Sequence, residues 1–458
     1  INLNPDNFST QDSITWSTND RDADGSIAVQ LPNTDTPTTL YYTYTMPTGY
    51  TETSTGFTYD SEITSDDVTS KVFKDTSGHL RACCNINIKS DFIGTQYVQT
   101  AGTAEGGAIY IYGTIGDITG NFINNYTRNP NWDAEGGAIS SDVNGVVGNI
   151  TGDFIGNYAI GHMSTYGGAI NSDRSIFNNI VGNFIQNYVS SESFPAEGGA
   201  IRAWNGQFGN ITGNFIGNYT SAPSSYASGG AISVEGTKLG NITGDFIGNY
   251  TQGSNAFGGA FYVNSDSTLG NITGDFISNN VYASQGNAAG GAIYAQKYTR
   301  GAAVSFGNIV GNFTGNYALG NMAKGGAIAN IVNILNDTAE PLTVVDSKFT
   351  DNYALSTEDN VYGGAIYNDF HVLLNFEEDN TDYSGVKSDA ALTLTNTSFL
   401  NNRADSESGR AFGGAIYSTG DVNVITNDGK TSLFQGNTAN NESNAIYMQA
   451  SAFEVYQD

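Results

Sequence analysis

A tetrapeptide that returns again and again governs what this chain can fold into. Gly-Gly-Ala-Ile, or Gly-Gly-Ala-Phe in one copy, starts at Gly106, Gly136, Gly167, Gly198, Gly229, Gly258, Gly290, Gly325, Gly363 and Gly413. A worn copy follows at Ser443-Asn444-Ala445-Ile446. The first seven starts are 30, 31, 31, 31, 29 and 32 residues apart, and the later gaps are 35, 38 and 50. Between successive copies sits a second motif, Phe-x-x-Asn, beginning at Phe122, Phe154, Phe184, Phe215, Phe246, Phe276, Phe313, Phe349, Phe399 and Phe434. Phe92 starts a degenerate first copy, with Thr95 in the place of Asn. In the best-kept stretches the second motif widens to Gly-Asn-Ile-Thr-Gly-Asp-Phe-Ile-Gly-Asn-Tyr, as from Gly240 to Tyr250. Two motifs alternating in register are the mark of a solenoid, in which one repeat cannot bury its own apolar face and neighbours bury it by stacking.

The segments between the glycines are short, β-branched and aromatic, with no helical period. Ile242 and Phe246 are four apart and so share one face of an extended strand. Coils about 4.8 Å apart would set each Ile over the next Ile and each Phe over the next Phe. The expected fold is all-β: a right-handed parallel β-helix of about eleven coils over residues 81–458. Paired glycines suit a corner where backbone packs closely. The Asn closing each second motif (Asn125, Asn157, Asn187, Asn218, Asn249, Asn279, Asn316, Asn352, Asn402 and Asn437) suits a side-chain ladder, each amide bonding the next and satisfying bend backbone. Residues 1–80 lack both motifs and hold Thr- and Tyr-rich runs such as Leu40-Tyr41-Tyr42-Thr43-Tyr44-Thr45. They are expected to form an N-terminal β cap or small β domain, since an open solenoid edge invites uncontrolled pairing. The longest insertion lies near 368–390 and carries Glu377-Glu378-Asp379. Ile1 at the start reads as the beginning of an already processed chain.

Gly-Gly-Ala-Ile alternating with Phe-x-x-Asn resembles the repeat signature of the chlamydial polymorphic outer membrane proteins and related autotransporter passengers. The resemblance covers about residues 86–450. It implies a right-handed parallel β-helix displayed on an outer surface, with adhesive or immune-facing roles. No C-terminal β-barrel translocator follows in this chain, which is a departure from that pattern.

Charge removes whole classes of partner. Of 458 residues, 17 are Lys or Arg against 45 Asp or Glu, a formal net charge of -28. Such a surface repels nucleic acid and anionic lipid, whose binding depends on cations meeting phosphate. Nothing in the sequence is apolar for long enough to cross a membrane as a helix. Adjacent Cys83 and Cys84 supply neither a disulfide framework nor a metal cluster; they read as two thiols, with a strained vicinal disulfide as the alternative. Catalysis is not expected: His79, His162 and His371 are scattered, and no carboxylate pair with a nearby cation recurs on one strand face.

Three kinds of candidate site remain. Asp20-Arg21-Asp22-Ala23-Asp24-Gly25 spaces Asp20, Asp22 and Asp24 like the oxygen ligands of a calcium loop before its Gly turn, with Leu31 where the bidentate Glu would stand. No other cofactor is expected, and an ordinary acidic turn is the plain alternative. The variable stretches between the Tyr that follows the ladder Asn and the next glycine pair carry Trp132, Tyr166, Phe194, Tyr226, Phe257, Tyr282, Tyr362 and Phe412. Variation over a constant frame is what a binding face would show, and packing back onto the solenoid is the alternative. The Ile after each Phe (Ile123, Ile155, Ile185, Ile216, Ile247, Ile277) is either an outward apolar stripe or buried by a bend at the neighbouring residue. Asn-x-Thr sequons at Asn149, Asn210, Asn241 and Asn271 recur inside the repeat and read as a structural stack. The functional expectation is an extracellular adhesin-like surface binding a protein or glycan on a cell. The alternative is a structural subunit whose copies stack into a filament or sheath. A polysaccharide-cleaving enzyme ranks third.

Overall fold

The computed structural model describes residues 10–11, 26–31, 38–43, 72–74, 79–82, 87–264, 266–299, 305–334, 341–372, 392–427, 429–449 and 453–457. Two compact units divide between Thr58 and Tyr59. In the first, Ser26–Leu31 and Thr10–Gln11 flank Thr38–Thr43 in an antiparallel sheet. The second unit takes in residues ahead of the first Gly-Gly pair, because Val72–Lys74 pairs antiparallel with Leu80–Ala82, which in turn pairs parallel with Ile109–Ile111. Among the described residues there is no helix.

The second unit is a parallel β-solenoid. One coil shows the plan: Ile139–Ser141, Val146–Val147, Ile150–Thr151, Phe154–Ile155, Tyr158–Gly161 and Thr165–Tyr166 follow in order. Each pairs with the strand at the same motif position one coil on: Ile139 with Ile170, Ile150 with Ile180, Phe154 with Phe184, Tyr158 with Tyr188. The Phe sheet runs through eleven strands, the Ile-Thr sheet through twelve and the Gly-Gly-Ala-Ile sheet through thirteen. The short Val146–Val147 side exists only in a seven-stranded sheet that ends at Ser305–Phe306.

Like stacks on like because a parallel register without slip puts identical side chains one above another. From Phe92 to Phe434 the Phe rings stack with centroids 4.5–5.0 Å apart and planes within 11°. With the Ile and Ala columns they form one continuous core from Leu80 to Val424. Beside it runs the Asn ladder. Each side chain from Asn125 to Asn402 donates Nδ2 to Oδ1 of the next Asn at 2.9–3.0 Å. Asn157 shows the full set: Oδ1 accepts from the amide N and Nδ2 of Asn125, while Nδ2 donates to Asn187 and to the Phe122 carbonyl. Thr95, in the degenerate first copy, donates its amide to Asn125 but leaves its own buried hydroxyl without a partner.

The widened motif carries two further ladders. Asn87, Asp117, Asn149, Asn179, Asn210, Asn241, Asn271 and Asn308 form one, in which each backbone N–H from Asp117 onward donates to the Oδ1 one coil back at 2.7–3.3 Å. Asp91, Asn121, Asp153, Asn183, Asn214, Asp245, Asp275 and Asn312 form the other at 2.6–3.1 Å. The sequons at Asn149, Asn210, Asn241 and Asn271 therefore lie in a backbone-satisfying column.

After the ladder Asn the chain leaves the central coil and comes back. The outgoing strand (Tyr158–Gly161) and the returning strand (Thr165–Tyr166) lie in one large sheet of their own. Between them sits a separate small core of Ala134, Ala159, Val189, Ala196, Ala222 and Ala227, continued in later coils by a second Ala-rich cluster. The glycine pair closes the neck of this side lobe. Gly167 has φ +59°, and a Cβ there would meet the Ile170 carbonyl oxygen at 2.2 Å; a Cβ on Gly168 would meet the backbone N and O of Tyr188 at 2.6 Å. Only glycine lets the backbones touch. Ile123, Ile155, Ile185, Ile216 and Ile247 are buried yet stand outside the central cluster. A left-handed residue follows each (Asn124, Gly156, Gln186, Gly217, Gly248) and turns the chain toward the lobe. Over these coils the Ile stripe is no open apolar surface.

Replacing Asn218 by Ala would strand the amide N and Nδ2 of Asn187 and the Phe184 carbonyl in a dry interior. We expect a loss of about 3 kcal/mol, seen as a lower denaturant midpoint, whereas a loss below about 0.5 kcal/mol would mean that the ladder contributes little.

Candidate functional site

The side lobe meets the solenoid along a re-entrant seam, and two columns line it. One is the residue just before each glycine pair: Glu105, Glu135, Tyr166, Glu197, Ser228, Phe257, Ala289, Lys324, Tyr362 and Phe412 are in register from coil to coil. The other is the residue just after Gly-Gly-Ala-Ile, from Tyr110 through Asn171, Arg202 and Tyr262 to Tyr447. Of the eight loop aromatics singled out from the sequence, Tyr166, Phe257, Tyr362 and Phe412 belong to this seam and are half-buried.

The later coils fill the seam with aromatics. Tyr367, Tyr417 and Tyr447 stack at 5.5 and 5.7 Å, while Tyr362 meets Tyr417 edge-on at 4.9 Å and Phe412 meets Tyr447 at 4.8 Å. The early coils fill it with charge. Asn171 Nδ2 donates to Glu135 Oε2 at 2.7 Å, and Arg202 Nε lies 3.4 Å from Glu197 Oε2. The Arg202 guanidinium sits 4.0 Å from the centroid of Tyr166, and Tyr226 donates its hydroxyl to Glu197 Oε1 at 2.9 Å. Burial pushes the Glu135 carboxyl up to about 8; Arg202 opposes the shift, and Glu105, Asp133 and Asp173 add to it. At neutral pH Glu135 is therefore mostly protonated. Sequence reading missed this group. Its signal is plain once the lobe is known: the residues flanking Gly-Gly-Ala-Ile on both sides face one another.

Stacking decides which aromatics have a face to offer. The lobe's outgoing Tyr126, Tyr158, Tyr188 and Tyr219 stack at 4.6–4.8 Å with planes within 9°, so each ring spends its faces on its neighbours. Burial also pushes the hydroxyls of Tyr188 and Tyr219 upward. The four remaining loop aromatics are exposed: Trp132 by 48%, Phe194 by 43%, Tyr226 by 39% and Tyr282 by 37%. Trp132 and Phe194 lie in the turns at the lobe tip, between outgoing and returning strands. Those turns are pinned. Asn129 Oδ1 accepts from the amides of Asn131 and Trp132 at 3.0 Å. Ser191 Oγ accepts from the Phe194 amide at 3.2 Å and donates to the Met163 carbonyl at 2.6 Å. Successive tips are tied together: Met163 N–H donates to the Trp132 carbonyl and His162 Nδ1 lies 2.9 Å from Glu192 Oε2.

Asp20, Asp22 and Asp24 lie outside the described residues, as do Cys83, Cys84 and residues 373–391 of the long insertion, whose first part extends the strand Ile366–Val372. Among the described residues no group of three or more His, Cys, Asp or Glu side chains could hold a metal ion. No helix there is long and apolar enough to cross a membrane.

A family model described as the Chlamydia polymorphic membrane protein repeat matches residues 396–419. This stretch holds Phe399, ladder Asn402 and the glycine pair at Gly413, the larger part of one turn of the solenoid just described. Over that stretch the solenoid is similar to the polymorphic membrane protein repeat. No curated protein and no solved structure matches the chain.

Half-buried Glu135 makes stability depend on pH with a definite sign. The folded state keeps a proton up to about pH 8 that the unfolded chain releases near its ordinary value of 4.5. Its contribution is thus full below that ordinary value and is lost as pH climbs through 8, at most about 1.4 kcal/mol per pH unit. Melting curves of the native chain and of Glu135→Gln between pH 5 and 8 should diverge, the variant losing less stability as pH rises. Parallel curves would show that Glu135 is already ionised.

Proposed function

We propose that this protein is a surface-displayed, adhesin-like binding module, carried at an outer membrane or cell surface, and that the side lobe is the part that meets a partner. The family described by the matching repeat supports the location. The observation that carries the binding role is the division of labour along the chain. Core Phe, buried Asn and lobe Tyr columns repeat almost unchanged and turn their groups onto one another. The lobe tip instead presents unstacked, exposed aromatics on hydrogen-bonded turns. Rigid aromatic anchors with accessible faces are what protein and glycan interfaces are built around. Holding them on pinned turns lowers the entropy lost on binding.

The partner class is a protein or glycan of another cell's surface. The test is saturable binding of the labelled full chain to cultured cells and to immobilised matrix proteins and glycans. A second chain has the tip turns 130–133, 162–164 and 192–195 replaced by Gly-Asn sequences. We expect the native chain to bind and the replaced chain to lose most of that binding while keeping its melting temperature. Equal binding by the two chains, or binding by neither, would overturn the proposal.

A further inference from the structure

The lobe tip also carries a chemical preference, and its logic comes from the chain's own cations. Cations are scarce here, at 17 against 45 acids. Several of the described ones occupy the same kind of niche, between an aromatic ring and a carboxylate. Arg202 lies over Tyr166 at 4.0 Å and beside Glu197 at 3.4 Å. Arg403 lies 4.2 Å from the Tyr353 centroid and 2.7 Å from Asp405. Arg174 lies 5.1 Å from Trp204 and 2.8 Å from Asp173. A ring face and a carboxylate act on a guanidinium together, the quadrupole and the charge attracting the same cation.

The tip brings exposed rings and acids together in short turns, with Trp132 and Phe194 both open to solvent. Trp132 is followed by Asp133, and Phe194 comes two residues after Glu192, whose side chain is 70% exposed. Burial pushes the Asp133 carboxyl upward, so a cation arriving beside it would relieve a desolvated acid. His162 meets Glu192, but no described cation lies over Trp132 or Phe194. Their turns lie two coils apart with the Met163 turn between them, so their backbones stand about 9.6 Å apart along the stack. That spacing spans about three residues of an extended segment, so it fits a peptide rather than one side chain.

We propose that the Trp132–Phe194 tip is a docking site for an arginine- or lysine-rich segment of a partner protein. This rests on the lobe being the binding face and specifies what it takes. Charge complementarity selects the occupant: the tip is acidic and aromatic on a chain of net charge -28, which disfavours anionic glycans and a second copy of itself.

The test titrates the full chain with a short fluorescent peptide of Arg and Gly. Controls are a Glu and Gly peptide of equal length and a set of neutral and sulfated oligosaccharides. We expect saturable binding of the Arg peptide alone, weakening as salt is raised. Trp132→Ala and Phe194→Ala should each weaken it roughly tenfold, although neither alters the charge, and Trp132→Phe should restore most of the loss. Glu192→Gln should weaken it less. Arg-peptide affinity unchanged in both alanine variants would assign the binding to general acidity and overturn the site. Oligosaccharide binding that depends on Trp132 would overturn the ligand class. Cell binding that persists without any peptide binding would sink this inference while leaving the binding role standing; loss of both would sink the two together.

Discussion

A buried carboxamide with two donors and two acceptors to satisfy has few places to go, and the Asn ladder uses all of them. Asn157 bonds the Asn below, the Asn above and the Phe122 carbonyl, and it does so only when successive coils stand in register. A slip of one residue would place Gly156 or Tyr158 where the Asn157 amide must be, leaving several polar groups unpaired in a dry interior. The ladder therefore fixes register, and register is what permits Phe to stack on Phe and Tyr on Tyr. The apolar core supplies most of the driving force, but Phe and Ile columns alone would tolerate shifts that the amides do not. The gaps of 35, 38 and 50 residues late in the chain make the point. Extra residues are accommodated beyond strand ends such as Val372, while Asn352 still reaches Asn402 at 2.9 Å.

The glycine pair does a different job from the one its conformational freedom first suggests. Its first member takes the left-handed bend, but its second is needed because the neck of the lobe brings backbone against backbone at Tyr188. The hydroxyls of Thr220 and Thr251 reinforce that contact, each donating to the carbonyl of the first Gly at 3.0 Å. Pinching the chain in this way splits each coil into two compartments. The larger holds Phe and Ile; the smaller is so thin that Ala and Val fill it. A solenoid with one compartment would present only its ladders to solvent. The second compartment carries loops outward on a braced arm, so their sequence can change without disturbing the stack.

Much of this was legible in the sequence because stacking makes the code redundant. Ten copies of Phe-x-x-Asn identify both the Phe column and the Asn column, and Ile242 with Phe246 gives the strand period. The lobe was not legible, for a physical reason: Ala159 and Ala196 are small and neutral, and nothing in their identity separates a thin second core from a turn. Without the lobe, the residues flanking Gly-Gly-Ala-Ile have no reason to be read together, so Glu135, Asn171 and Arg202 went unnoticed. The loop aromatics were legible as a class but not as two groups. Whether Tyr362 closes a seam or Trp132 stands free depends on distance from the neck, which counting residues in variable loops cannot supply.

The same redundancy that makes the stack stable restricts where recognition can reside. Identical charges in adjacent coils would lie about 4.8 Å apart and repel by about 1 kcal/mol even in water, more where partly buried. The exposed ladders respect this: Asp91, Asn121, Asp153 and Asn183 alternate, and amide and carboxylate accept the same backbone hydrogen bond. Where two acids do adjoin, at Asp245 and Asp275, burial pushes Asp245 up; the Asp275 amide opposes the shift through its hydrogen bond, while the Asp275 charge adds to it. A column in a solenoid wall is thus limited in how many like charges it can stack, and cannot freely acquire a charge pattern that reads a partner. The lobe tip escapes the restriction because its turns differ in length and sequence from coil to coil. There an acid can stand beside a ring without a like acid directly above it, and selectivity can vary at no cost to the stack.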